Sequence, residues 1–223
     1  MRLTDVSRTY EFGTLSVPMV EHVDLAVVAG EIVSVRGLDG SGRTVLLNMV
    51  AGLCVPSRGK IEVCGVDISS DRGMIDELRK GKVAFLSRVS SLVPDMTVYE
   101  NIELALRAKA PGSGKTTEEI YSEIDLAGKD NRRVADLSKL DTLRLSIGRS
   151  LASNPDLFIC DDPMEQLDQD DAETMIEFLF QKSRDTGTAV VIGTEAGFAA
   201  EMADRSFEME EGRLVQLGCE DIG

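Results

Sequence analysis

"GLDGSGRT", residues 37–44, stands between "EIVSVR" (31–36) and "TVLLNMVAGL" (44–53). The first flank is a short apolar run with strand character; the second reads as an apolar helix ending near Gly52. A glycine loop between a buried strand and a helix is where backbone N–H groups and a helix N-terminus gather round phosphate oxygens. Gly37, Gly42 and Thr44 keep the spacing of the G-x-x-x-x-G-K-[ST] phosphate loop, with Arg43 at the lysine position. Gly40 and Gly42 allow close approach of the backbone, and Ser41 and Val45 complete the loop and its exit. A second stretch, "APGSGKTT" (110–117), does carry a lysine, Lys115. Five places before Gly114, however, stands Lys109 and not glycine, and "TVYENIELALRA" (97–108) reads as a helix opened by a Thr97-x-x-Glu100 capping box. Lys115 is therefore expected in a loop between helices. The loop that decides the fold is the one without the lysine.

The 223 residues suffice for one large α/β domain with a sizeable core. No apolar run reaches the roughly 18–20 residues of a membrane helix, and no signal peptide opens the chain, so a soluble or peripheral protein is expected. Thirty-nine acidic residues against 24 basic ones give a net charge of −15, which argues against nucleic acid as a partner. Cys54, Cys64, Cys160 and Cys219 lack C-x-x-C spacing and read as reduced, mostly buried thiols of a cytoplasmic protein. The single histidine, His22, lies among N-terminal strands and reads as a surface or satisfied residue.

Along the chain, the first 30 residues read as antiparallel strands. The loop strand and its helix follow, then the strand-like runs "KIEVCGVDI" and "KVAFLS" (82–87), and a mainly helical stretch from about 97 to 154. After it come "LFIC" ending in Asp161 and Asp162, a helix near 170–184, the strand "TAVVIGT", and a hairpin "SFEMEEGRLVQL" turning at Glu211-Gly212. Strands alternating with helices around a helical block suggest a mostly parallel sheet with an inserted helical subdomain.

Several stretches carry a family likeness: "TYEFGTLSVPMVEHVDLAVVAGEIVSVRGLDGSGRTVLLNMVAGL", "LVPDMTVYENIELAL", "LSKLDTLRLSIGRSLASNPDLFICDDP", "EQLD" and "MADRSFEMEEGRLV". Over nearly its whole length the chain resembles the nucleotide-binding domain of an ATP-binding cassette (ABC) transporter. It is most similar to the branch serving macrolide exporters, lipoprotein-release complexes and the cell-division cassette protein. The resemblance implies an α/β P-loop NTPase core with an N-terminal antiparallel β-subdomain and an inserted α-helical subdomain. The chain would form one cassette domain, with residues 1–88 and 155–223 as core and 89–154 as the helical part. It also implies ATP as ligand, Mg²⁺ held by Thr44 and Asp161, a membrane permease and a second cassette as partners, and a place on the inner face of the cell membrane.

By the same resemblance, Tyr10 stacks on adenine, Gly37 to Val45 hold the phosphates, and Ser138 approaches the nucleotide of the other subunit. Local packing of a strand tyrosine is the alternative for Tyr10. Asp168 falls in the loop that crosses the dimer interface. The departures from the family pattern are as informative. Arg43 keeps the charge of lysine but brings a wide planar fork into a close-fitting site. Arg88 stands where a glutamine meets the metal and the attacking water, and a guanidinium has donors only. Asp162 replaces the water-polarising glutamate, one C–C bond short. Thr194 and Glu195 occupy the segment of the switch histidine, for which His22 cannot substitute, and Glu195 joins Asp162 and Arg88 as a candidate catalytic residue. The signature Leu-Ser-Gly-Gly-Gln appears as "LSKLD" (137–141), where Lys139 and Leu140 add bulk. Asp141 caps its helix with Ser138 and is expected to face an incoming triphosphate.

These departures imply weak nucleotide binding, weakened Mg²⁺ binding and little or no hydrolysis. A slow but competent ATPase is the alternative, since Thr44, Asp161 and the loop glycines remain. A cassette of a non-transport, nucleic-acid-linked system is disfavoured by the acidic charge and the single cassette. "LVPDMTVYEN" (92–101) keeps the pattern that receives a helix of the membrane partner, with Leu92, Val93, Pro94 and Met96 as apolar surface; an ordinary interdomain core is the other reading.

Overall fold

The computed structural model describes residues 1–70, 72–88, 91–107 and 115–218. Lys109, Gly114 and Cys219 lie outside the described residues. Two sheets organise the chain. In the first, β1 (Arg2–Phe12) pairs antiparallel with β2 (Leu15–Ala26) and with β4 (Arg58–Val63), and β5 (Val66–Asp67) closes the edge. The run "KIEVCGVDI" is thus two strands. Cys64 and Gly65, with φ of 50° and 79°, form the left-handed turn between them.

The second sheet has the order β10 (Arg213–Gln216), β9 (Arg205–Glu210), β3 (Ile32–Arg36), β8 (Ala189–Gly193), β7 (Leu157–Asp161), β6 (Val83–Leu86). All neighbours are parallel except β9 and β10, whose hairpin turns at Glu211-Gly212 as the sequence implied. Every residue of β7 and β8 is buried, so these strands read as continuous apolar runs. Their side chains still alternate. Leu157 and Ile159 enter the layer shared with α1 (Arg43–Val50) and the first sheet, while Phe158 and Cys160 face α5 (Lys139–Leu151) and α6 (Gln169–Thr186).

A third apolar cluster joins α3 (Val98–Arg107), α4 (Thr117–Glu123) and α5 through Val98, Ile102, Ile120, Ile124 and Leu145. The Thr97 capping box is formed in full: Glu100 N–H donates to the Thr97 hydroxyl, and Thr97 N–H to the Glu100 carboxylate. Leu92 departs from expectation. It is 8% exposed and belongs to this cluster, so it supports the helical block from inside and presents no surface. Lys115 precedes α4 and pairs with Glu123 at 2.6 Å, as a loop residue between helices does. α2 (Arg72–Arg79) has no counterpart in the sequence reading; Ile75 and Leu78 anchor it under α1. The last helix, α7 (Gly197–Met202), follows β8. Cys160 is buried, but Cys54 and Cys64 are only half-buried, which corrects the expectation of mostly buried thiols. His22 is exposed and pairs with Asp5 at 2.6 Å. Among the described residues no helix is long and apolar enough to cross a membrane.

Candidate functional site

Four loops leave the carboxyl ends of β3, β6, β7 and β8 at one edge of the parallel sheet, the edge at which open α/β sheets bind ligands. They carry Gly37–Arg43, Arg88, Asp162 and Glu195 respectively. The β3 loop is shaped by its glycines. A Cβ on Gly37 would come within 2.7 Å of the Met209 carbonyl and the Ser41 hydroxyl, and one on Gly42 would collide with the Met19 carbonyl; both glycines have φ above +90°. Around Gly40, by contrast, there is open space. The Gly212 amide donates to the Ser41 carbonyl at 3.0 Å, so the turn of the β9–β10 hairpin pins the loop from behind. Val45 sits partly buried in α1.

The Arg43 side chain does not point outward. It is 2% exposed and folds into its own loop. One terminal nitrogen donates to the Gly37 carbonyl, the other to Asp162 Oδ2 at 2.8 Å. Its Nε lies 3.8 Å from Asp161 Oδ1, and Glu195 stands 4.0 Å away. Gly193 makes room for the stem, because a Cβ there would meet Arg43 Cδ at 3.2 Å. Arg88 reaches the same Asp162 oxygen at 3.3 Å, and also Asp39 at 3.1 Å and Glu165 at 3.3 Å. The Asp39 hydrogen bond, opposed by partial burial and reinforced by Glu165, Asp39 and Asp162 charges, pushes the Arg88 pKa still higher. Burial raises the Asp161 pKa, with the Thr44 hydroxyl and Arg43 pulling the other way.

The other expected residues are more scattered. Tyr10 lies on β1, and the Arg8 guanidinium covers its ring at 4.5 Å. Ser138 caps α5, accepting from Asp141 N–H at 3.1 Å. Its neighbours Leu137 and Lys139 line a cavity of about 190 Å³ together with Arg88, Asp162 and Glu165. Asp141 corrects the expectation. It is buried and bound to Lys129 at 2.6 Å, with Arg144 also near, so it faces no phosphate. Asp168 caps α6 through Asp171 N–H. Asp39 and Glu165, which the sequence reading passed over, complete the coordination of Arg88. An acidic residue inside a phosphate loop was the signal for Asp39.

The backbone of Gly40 to Thr44, opening α1 with no acidic residue in its first turn, suits phosphate. Of the side chains expected to hold Mg²⁺, Asp161 has Arg43 against it. Asp161 Oδ1 is buried without a hydrogen-bond partner, as a metal ligand would be, but it faces Arg43 Nε, itself unpartnered. Arg88 adds a second cation and no lone pair. Among the described residues no group of three acidic, histidine or cysteine side chains is placed to hold a metal. A hollow of about 60 Å³ remains between Met19, Leu38, Gly40 and Arg43.

The family model described as "ABC transporter" matches residues 20–165. Lipoprotein-releasing system ATP-binding protein LolD of Xylella fastidiosa is 29% identical across the whole chain and 94% of its own length. Its counterpart in Anaeromyxobacter dehalogenans is 30% identical over 98% of this chain and 93% of its own. Among solved structures, the dimeric post-hydrolysis state of the ATP-binding cassette MJ0796 bound to ADP and Pi superposes with a TM-score of 0.87 at 27% identity, covering 97% of each chain. CbiO1 of Clostridium perfringens, at 19% identity and a TM-score of 0.81 over 96% of this chain and 86% of its own, shares the fold.

Proposed function

Because the chain belongs to the ABC transporter family, we propose that it is a catalytically impaired ATP-binding cassette subunit that docks on a membrane permease from the cytoplasmic side. It pairs there with a second cassette. The likeness to LolD and to a cassette solved as a dimer supports the partners and the place. The backbone amides of Gly40 to Val45 hold the phosphates and Tyr10 the base. Binding is weak because phosphate oxygens compete with the Gly37 carbonyl and Asp162 for Arg43. A bound Mg²⁺ would supply charge neutralisation at the phosphates, but both guanidiniums already stand at the carboxylates.

One observation carries the impairment: Asp162 Oδ2, the oxygen that would take a proton from water, is shared by Arg43 and Arg88. Two guanidiniums already occupy that oxygen, leaving a water no free approach to it, and losing a positioned base costs about 10²–10⁴ in rate. No imidazole follows β8, where Thr194 is buried and bonds to the Ala196 amide. The test is steady-state ATP turnover by the purified chain, alone and with a co-expressed membrane permease. Background turnover is expected. A rate typical of intact cassettes, abolished by Asp161→Asn, would establish a competent ATPase instead.

A further inference from the structure

The four positions that depart from the family pattern at the sheet edge are remote in sequence, at 43, 88, 162 and 195, yet they converge on one ion cluster. Arg43 ties the β3 loop to the ends of β7 and β8. Arg88 ties the end of β6 to the same Asp162 oxygen, to Asp39 of the β3 loop and to Glu165 beyond β7. Main-chain bonds run alongside: Asp162 N–H donates to the Gly193 carbonyl at 2.8 Å and Thr194 N–H to the Val35 carbonyl at 3.2 Å. In the family pattern that the sequence resembles, the same four positions are given to the nucleotide phosphates, the metal and the attacking water.

We infer that Arg43, Arg88, Asp162 and Glu195 form a built-in substitute for the nucleotide–metal complex, an ion-paired clasp that holds the four loops assembled with no ligand bound. This deepens the reading as an impaired cassette and rests on it. The clasp works because its centre is dry: with Arg43 and Asp162 almost fully buried, their pairing is little screened by salt. Its charge also disfavours a free polyphosphate. Five carboxylates (Asp39, Asp161, Asp162, Glu165, Glu195) against two guanidiniums leave a local charge of −3 when all are ionised. A nucleotide thus competes with the clasp and does not complete the site.

The test is amide hydrogen exchange of the full chain, with and without millimolar Mg²⁺ and ATP. Residues 37–44, 161–165 and 193–196 are expected to be protected in the ligand-free protein and to change less than about twofold on adding nucleotide. Arg88→Gln, at a side chain 33% exposed and so tolerant of change, is expected to speed exchange in 37–44 about tenfold while 139–151 stays as it was. The triple variant Arg43→Lys, Arg88→Gln, Asp162→Glu is expected to show loops that open without nucleotide and close with it. Wild-type loops that exchange freely and gain protection only with Mg²⁺ and ATP would overturn the clasp, as would an unchanged Arg88→Gln. Turnover measured on the same samples separates the two ideas. Wild-type hydrolysis with ligand-free protection removes the impaired reading and keeps the clasp, whereas background turnover with open loops does the reverse.

Discussion

At Asp162, a carboxylate one bond shorter than the glutamate of the family pattern meets the guanidiniums of Arg43 and Arg88, so the three changes fit one another. Removing one member should therefore cost more than removing a surface ion pair. Arg43→Met leaves Asp161 and much of Asp162 buried without their main cation, and is expected to lower stability by about 3 kcal/mol in urea denaturation, the scale for breaking a buried pair. On the proposed reading, the same network limits the nucleotide affinity. Titration with a labelled nucleotide should give a dissociation constant near or above about 1 mM, only about 4 kcal/mol of binding, with little dependence on Mg²⁺. Tight binding, or a strict Mg²⁺ requirement, would contradict the role given to the arginines. From sequence, each departure was legible as a separate loss. Their mutual contact was not, because no spacing rule links positions 43, 88, 162 and 195. Nor was the inward turn of Asp141, which depends on Lys129 packing beneath it.

Elements with strong local signals were legible in advance: the strand–loop–helix at 31–53, the Thr97 capping box and the hairpin at Glu211-Gly212. α2 was not, since its flanks are polar, Gly73 lies within it and only Ile75 and Leu78 show its buried side. The split of β4 from β5 hid because a left-handed Cys64 is an unusual turn residue. Leu92 illustrates a different limit, for an apolar residue in a loop can face in or out and the pattern alone does not say which. Its burial gives an element-scale expectation. Leu92→Ala should destabilise the helical block by roughly 2–5 kcal/mol, as cavity-forming changes do. Thr97→Ala should cost about 1 kcal/mol through loss of the cap. Both are read by chemical denaturation; a Leu92→Ala protein of unchanged stability would return that side chain to the surface.

For the whole molecule, the family was legible because its motifs are linear; of the expected docking segment, Leu92 is buried while Pro94 is exposed and Val93 and Met96 are half-buried. A neighbouring groove of about 420 Å³, lined by Leu53, Phe85, Ser91, Leu104 and Arg149, is a second surface open to the permease. These come from five separate segments, and Arg149 is half desolvated there, which lowers its pKa. Apolar anchors at the centre of a contact carry much of its energy, so Leu104→Asp should weaken co-purification with the permease about tenfold or more. Val215→Asp, on the exposed edge strand β10, should leave it unchanged; equal losses would place docking elsewhere. The pin between Gly212 and the Ser41 carbonyl has a bearing on synthesis. A nascent chain that has made residues 37–44 still lacks the hairpin that closes them, and residues 205–216 must be added before it exists. The phosphate loop thus gains this support long after its own residues are made, and a ribosome stalled before residue 205 holds a cassette whose binding loop rests on Met19 of β2 but lacks its pin.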